Sequence, residues 1–232
     1  MTSISGNLYI VATPIGNLKD ITYRAIDILK KVSIIAAEDT RHSGILLSHF
    51  KIIKPLLTYF EHNKLRQIPR IIKRINNGED CALITDAGTP GISDPAYKLI
   101  RKAIDENIKV ESIPGPSAVV TSLTASGLPT DRFLFEGFLP PKKNRKSRLE
   151  RIKNEEATLI FFENPNRLLR TLKDIHLNLG DRPAVIAREM TKIHEEYIRG
   201  TVSQLIAYTE KNKLKGECVI LIGKDKKSVY FN

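Results

Sequence analysis

Three loops rich in glycine and proline carry the clearest chemical signal in this chain. They are Thr13-Pro14-Ile15-Gly16-Asn17-Leu18, the eleven-residue run from Thr85 to Pro95 with Gly88 and Gly91 inside it, and Ile113-Pro114-Gly115-Pro116-Ser117-Ala118. Glycine lets a backbone come close to a ligand, and proline holds a loop in shape without offering an N–H. None of the three is a P-loop or a G-x-G-x-x-G fingerprint, and the Lys-Ser/Thr pair that would hold a triphosphate and magnesium is missing. A nucleotide-like ligand without a triphosphate fits them better. Charged groups cluster in three further places: Glu38-Asp39-Thr40-Arg41, Glu163-Asn164-Pro165-Asn166-Arg167 and Arg188-Glu189-Met190-Thr191-Lys192. Each places ionisable groups at a strand end, where sites form. Each also fits a surface ion pair or a helix cap, as Asp39-Thr40 would be ahead of a helix from His42.

These loops need elements that deliver them to one place. Short apolar runs at residues 8–12, 33–37, 81–85 and 109–113 read as strands. Helical patterns cover residues 21–31, 42–50, 65–77 and 96–107; in the third, Ile68, Ile71, Ile72 and Ile75 share one face. This alternation predicts an α/β fold whose first domain is a mainly parallel sheet with flanking helices. In such a sheet the carboxyl ends of the strands share one edge, so the three loops converge on one cleft. Residues 133–138, 157–162, 184–188, 195–199 and 217–222 also read as strands. Two of them, around Ala184 and Glu195, are too close for a crossover helix, which predicts antiparallel pairing and a mixed α/β second domain. Pro114-Gly115-Pro116 interrupts regular structure, so the expected domains are residues 1–114 and 115–232.

Charge and composition narrow the class. The net charge is +11, and the excess is concentrated. Residues 142–153 carry seven basic side chains against Glu150, and residues 211–227 carry six lysines against Glu217 and Asp225. Concentrated positive charge attracts phosphate backbones and gives salt-sensitive affinity. The segment before the first strand has no basic n-region, and no apolar stretch approaches a membrane span, so a cytoplasmic protein without membrane attachment is expected. Cys81 and Cys218 read as buried free thiols. No Cys/His cluster has zinc spacing, so no metal is expected.

Taken together, these segments resemble the tetrapyrrole-methylase superfamily and, within it, the ribosomal RNA small-subunit methyltransferase I family. The matching stretches are Leu8 to Leu18 with Asp20-Ile21-Thr22, Ala37 to Arg41, Asp86 to Pro95, Ile113 to Ala118, Phe161-Phe162-Glu163, Arg188 to Lys192 and Lys215-Gly216-Glu217. They span nearly the whole chain. The resemblance implies a two-domain homodimeric enzyme that binds S-adenosylmethionine in a cleft between domains and methylates the ribose 2′-hydroxyl of a cytidine in the decoding region of 16S rRNA. Carried over residue by residue, it implies cofactor contacts from Ile15, Asp86, Gly88, Thr89, Ser117, Ala118, Phe162, Ala187 and Gly216. Three features depart from the family pattern. Ala96 stands where a glycine is usual, Asn164-Pro165-Asn166-Arg167 lacks the usual histidine, and the chain stops soon after Ile222 where longer members continue.

A sulfonium methyl is already activated, so the enzyme's task is chiefly positioning. A ribose hydroxyl is a poor nucleophile, and a base or an alkoxide-stabilising cation should help. Asp39 or Glu189 is the expected base, and Lys192 or Arg41 the expected cation. Lys142, Lys143, Arg145, Lys146 and Arg148 are expected to grip phosphates of 16S rRNA or of the 30S subunit. Two other readings compete: a methyltransferase of the same fold acting on a small tetrapyrrole or a protein, and a non-catalytic RNA-binding module of ribosome assembly. The basic windows argue against the first, and the three converging loops against the second.

Overall fold

The structure is a computed structural model that describes residues 5–231; the first four residues of the N-terminal segment lie outside the described residues. It divides into two compact units, Met1–Ser117 and Ala118–Asn232, three residues beyond the boundary expected at the Pro-Gly-Pro turn.

The first unit holds five parallel strands: β1 (Leu8–Val11), β2 (Ile34–Ala37), β3 (Leu56–Thr58), β4 (Cys81–Ile84) and β5 (Val110–Ile113), in the order β3-β2-β4-β1-β5. Helices α1 (Tyr23–Lys31), α2 (Thr40–His49), α3 (Lys64–Asn76) and α4 (Ala96–Asp105) connect them. The central strands β1, β2 and β4 are buried at every position, which is why they read as unbroken apolar runs. Two apolar clusters cover the two faces. One gathers Leu8, Ile34, Leu83 and Leu99 with the isoleucine face of α3, and the other gathers Val11, Leu29, Ile35 and Ile84. The short edge strand β3 was not expected. Its three half-buried residues show no alternation to read.

The second unit is a mixed sheet of β6 (Phe133–Phe138), β7 (Thr158–Glu163), β8 (Pro183–Arg188), β9 (Glu196–Thr201) and β10 (Cys218–Ile222), in the order β6-β7-β10-β8-β9. Only β6 and β7 are parallel, joined through α6 (Arg145–Arg151). The expected hairpin is β8 against β9. A bulge between Phe135 and Gly137, with Gly137 at φ +63°, bends the edge strand β6. Helices α5 (Ala118–Thr124), α7 (Pro165–Leu179) and α8 (Val202–Lys211) complete the unit. The start of α7 is written in the sequence: Asn164 accepts the Asn166 N–H and Pro165 fills the first turn. The start of α8 is a capping box of Thr201 and Gln204. No described helix is long and apolar enough to cross a membrane.

Candidate active site

In the first unit the three loops meet beyond the carboxyl ends of β1, β4 and β5. Thr13 and Gly88 exchange backbone hydrogen bonds of 2.9 and 3.0 Å, and the buried Thr13 hydroxyl donates to the Thr85 carbonyl at 3.1 Å. The Thr89 hydroxyl donates to the Pro116 carbonyl at 3.0 Å, which ties the second loop to the third. Two glycines are required by this packing. Gly88 sits at φ +82°, with Ile15 3.4 Å from where a Cβ would stand. A Cβ on Gly115 would come within 3.0 Å of the Ala12 methyl. Asp94 closes the long loop by accepting the N–H groups of Gly91 (2.8 Å) and Ala96 (2.9 Å). Burial raises the pKa of Asp94, and those two N–H groups oppose the rise. Ala96 in place of glycine is accommodated because it opens α4, where no left-handed geometry is needed.

The same sheet edge carries Glu38 to Arg41. Glu38 accepts the Thr85 hydroxyl at 2.7 Å, and Asp86 accepts the Asp39 N–H at 3.1 Å. Asp39 caps α2 by accepting the Arg41 N–H at 2.8 Å. The Arg41 guanidinium turns back onto the Asp39 carboxylate, with its Nη2 3.0 Å from Oδ2, while remaining mostly in solvent. The side-chain hydrogen bond from Arg41 holds the Asp39 carboxyl at about 2. Glu38 and Thr85 belong to stretches quoted from the sequence, but neither was expected as a site residue. Their pairing depends on β2 and β4 being neighbours, which the topology supplies and the sequence does not spell out.

In the second unit the register of β8 against β10 sets Arg188 opposite Cys218, which brings the segment after β8 against the segment before β10. Glu189 and Glu217 meet there. The Glu189 N–H donates to the Glu217 carbonyl, and Glu189 Oε1 accepts the Glu217 N–H, both at 3.0 Å. The Lys192 ammonium bridges Glu189 and Glu217, 3.0 Å from each carboxylate. The backbone is unusual at this corner, with positive φ at Glu189 (+48°) and Thr191 (+66°). Gly216, at φ +84°, makes the arrangement possible, since a Cβ there would lie 2.3 Å from the Glu189 carboxyl. Burial works against the charge of Lys192, but its hydrogen bonds to Glu217 and Glu189 outweigh that and raise its pKa. Burial pushes Glu189 up, and the Glu217 N–H and Lys192 more than reverse it, leaving its pKa lowered. The two candidates picked from one motif are therefore in contact. Glu217, quoted only as part of a matching stretch, completes the set.

The other expected residues fall as follows. Ile15, Asp86, Gly88, Thr89 and Ser117 line the loop assembly of the first unit. In the second unit Ala118 opens α5, half-buried, and Phe162 is half-buried with edge-on contacts to Phe135 (4.8 Å) and Phe138 (5.7 Å). Ala187 is corrected: it is fully buried in β8 and presents no surface to a ligand. Arg145 is a second correction. It is 5% exposed, and it donates to Asp174, the Pro140 carbonyl and the Thr171 hydroxyl. Thr171 in turn donates to the buried Glu163, which also pairs with Arg167. This network ties α6 to α7 and β7, so Arg145 is structural. Arg148 is half-engaged, pairing with Glu136, whereas Lys142, Lys143 and Lys146 are exposed. Both cysteines are buried and free, and burial pushes Cys81 up to about 12 and Cys218 to about 11.

Comparison with known proteins identifies the family. The family described as Tetrapyrrole (Corrin/Porphyrin) Methylases matches residues 7–206. A protein of Thermotoga maritima named ribosomal RNA small subunit methyltransferase I is 48% identical over 221 residues, covering 95% of this chain and 100% of its own length. The protein of that name from Halalkalibacterium halodurans is 51% identical over 96% of this chain and 78% of its own. Among solved structures, diphthine synthase superposes with a TM-score of 0.72 at 13% identity, over 94% of this chain and 90% of its own. A cobalt precorrin-4 methyltransferase superposes with a TM-score of 0.67 at 19% identity, over 94% of each chain. These two likenesses establish the fold alone.

Proposed function

The chain belongs to the tetrapyrrole (corrin/porphyrin) methylase family, and we propose that the methyl group it transfers goes to the ribose 2′-hydroxyl of a cytidine in the decoding region of small-subunit ribosomal RNA. Its relatives over nearly the full length carry the name ribosomal RNA small subunit methyltransferase I, and it is a methyltransferase that uses S-adenosylmethionine to modify that RNA. The choice of the ribose oxygen, and of a cytidine, is the proposal. It acts in the cytoplasm as a homodimer, the state the family resemblance implies.

The loop assembly of the first unit fits the cofactor. Its glycines let the three loops pack closely together, and it lacks the Lys-Ser/Thr pair that a triphosphate and magnesium would need. Ile15, Asp86, Gly88, Thr89 and Ser117 would hold it. S-adenosylmethionine supplies a methyl group already activated by the sulfonium charge. What remains is to orient the ribose oxygen and to stabilise the negative charge it gains as its proton leaves.

The observation that carries the ribose reading is Lys192. Two carboxylates fix its position and keep it protonated, so it offers a permanent cation to a developing alkoxide. Carbon methylation of a macrocycle would leave that cation without an oxyanion to serve. Glu189 is lowered in pKa, and its role is to position Lys192. Lys142, Lys143 and Lys146 are exposed and would meet RNA phosphates, Lys146 by leaving a 3.7 Å surface pairing with Glu150. The test is methylation of 30S subunits and of naked rRNA with radiolabelled cofactor, followed by alkaline hydrolysis. A ribose methyl removes the 2′-nucleophile, so label is expected in an alkali-resistant dinucleotide. Label released in a single nucleotide would place the methyl on a base and overturn the ribose reading.

A further inference from the structure

The two basic windows, about sixty residues apart in sequence at their nearest ends, meet at a place the methyl-transfer chemistry does not use. A cavity of about 590 Å³ in the second unit is lined by Lys153 from the first window, Lys224 and Lys226 from the second, and Arg182 between them, together with Asn154, Glu155, Glu156, Leu179 and Asp225. Arg182 is the unusual member. It lies immediately before β8 and is only 3% exposed. Its Nε donates to the Gly223 carbonyl at 2.6 Å and its Nη2 to the Glu155 carbonyl at 3.0 Å. Among the described residues no carboxylate lies within ion-pair distance of it, and none lies within that distance of Lys153, Lys224 or Lys226. Its hydrogen bonds go to carbonyls alone, and the carboxylates of Asp225 and Glu155 offset its charge only from beyond ion-pair distance.

The carboxylates around it are largely engaged elsewhere. Glu155 accepts the Ala157 N–H at 2.9 Å and faces Arg132, and Asp225 accepts the Tyr230 hydroxyl at 2.8 Å. Only Glu156, exposed at the rim, has no such engagement with a donor. The frame is rigid where it matters. The Gly223 N–H donates to the Pro183 carbonyl at 2.8 Å, which ties the residue whose carbonyl holds Arg182 to the start of β8. Burial lowers the pKa of Arg182, which is the cost of keeping a cation there.

We propose that this cavity is a phosphate-binding subsite for the RNA backbone, with Arg182 as its fixed guanidinium and Lys153, Lys224 and Lys226 as the mobile cations that close on one phosphodiester. The proposal rests on the reading of the substrate as RNA. It extends the RNA-binding surface from the exposed lysines at 142, 143 and 146 to a second, built contact on the same unit.

The test compares the whole protein with two triple variants, K153A/K224A/K226A and K142A/K143A/K146A. Filter binding to a labelled small-subunit rRNA fragment is measured across a salt series, and S-adenosylmethionine titration serves as the check that each variant is folded. Losing one phosphodiester contact should reduce the slope of log affinity against log salt by about 0.7–0.9, or roughly five- to eightfold in affinity at 0.1 M salt. The K153A/K224A/K226A variant should show that loss while binding cofactor normally. A wild-type slope in this variant, with a reduced slope in K142A/K143A/K146A, would overturn the subsite and leave the RNA reading standing. An absence of salt-dependent RNA binding in the wild type would overturn the RNA reading itself. Titration with inorganic phosphate separates the remaining source. If the same variant loses phosphate binding but keeps the full RNA slope, the cavity serves a free phosphate and the proposal is wrong.

Discussion

The two units solve the problem of building a site in opposite ways. In the first, the loops are tied mostly through backbone and hydroxyl groups, Thr13 with Gly88 and Thr89 with Pro116, and its carboxylates Glu38, Asp86 and Asp94 accept hydroxyl or backbone N–H donors, not cations. A parallel sheet forces this convergence, because all its strands end at one edge. In the second, the groups that meet are charged side chains, Glu189, Lys192 and Glu217, brought together by the antiparallel register of β8 and β10. The difference fits the proposed division of labour: a preformed, largely backbone cradle that would hold the cofactor, and a charged corner that would serve the oxygen losing its proton.

The largest effect should come from the charged corner. Lys192→Ala removes the cation that bridges Glu189 and Glu217, and methyl transfer should slow by on the order of a hundredfold or more. Cofactor affinity, measured by titration calorimetry, should stay unchanged. Full activity in this variant would remove Lys192 from the chemistry. Next comes Gly216→Ala. The added methyl meets the Glu189 carboxyl and must be held at a positive φ that favours glycine, a cost of about 1–3 kcal/mol, read by denaturant unfolding. In a Glu189→Ala background the same substitution should cost distinctly less, because the clash is gone. Equal costs in the two backgrounds would show that Gly216 is needed for its backbone alone.

The backbone cradle should respond more mildly. Thr13→Val leaves the backbone bridge to Gly88 but deprives the Thr85 carbonyl of its buried donor, for a loss of about 1–2 kcal/mol. The expected signature is weaker cofactor binding with little change in turnover at saturating cofactor. A fall in turnover with unaltered affinity would mean that the two units do not divide the work as described.

What could be read from the sequence follows the same division. The parallel unit was legible because buried strands, loop glycines and helix periodicity are local signals, and the sheet geometry turns them into convergence. The strand at Leu56–Thr58 escaped because three half-buried residues at a sheet edge carry no pattern. In the second unit the strands and the hairpin could be read, but the partners could not. Glu217 lies 25 residues from Lys192, and only the register unites them. Arg145 misled for a related reason. Among seven basic residues in one stretch nothing local says which side chain turns inward, and the partners that bury it, Thr171 and Asp174, are a helix away. Arg182 drew no notice in a run without basic neighbours, although it is the cation most thoroughly withdrawn from water.

The smallest effect concerns Asp39, and it separates a cap from a base. Its carboxyl is held at about 2 by Arg41, far below neutrality, and a group so willing to stay ionised is a poor proton acceptor for a ribose hydroxyl. Because the folded value is depressed, whatever stability the ionised cap gives is present above the ordinary carboxylate value near 3.8 and is lost as pH falls through about 2. Arg41→Ala should move that acid-side loss upward toward 3.8, seen as earlier acid unfolding of the helix by circular dichroism. The rate profile near neutral pH should not change. Asn caps a helix about as well as Asp, so Asp39→Asn should keep both stability and most of the activity. A turnover collapse in Asp39→Asn with an intact fold would instead make the first unit a chemical partner of the charged corner, and the division between the units would fail at this residue.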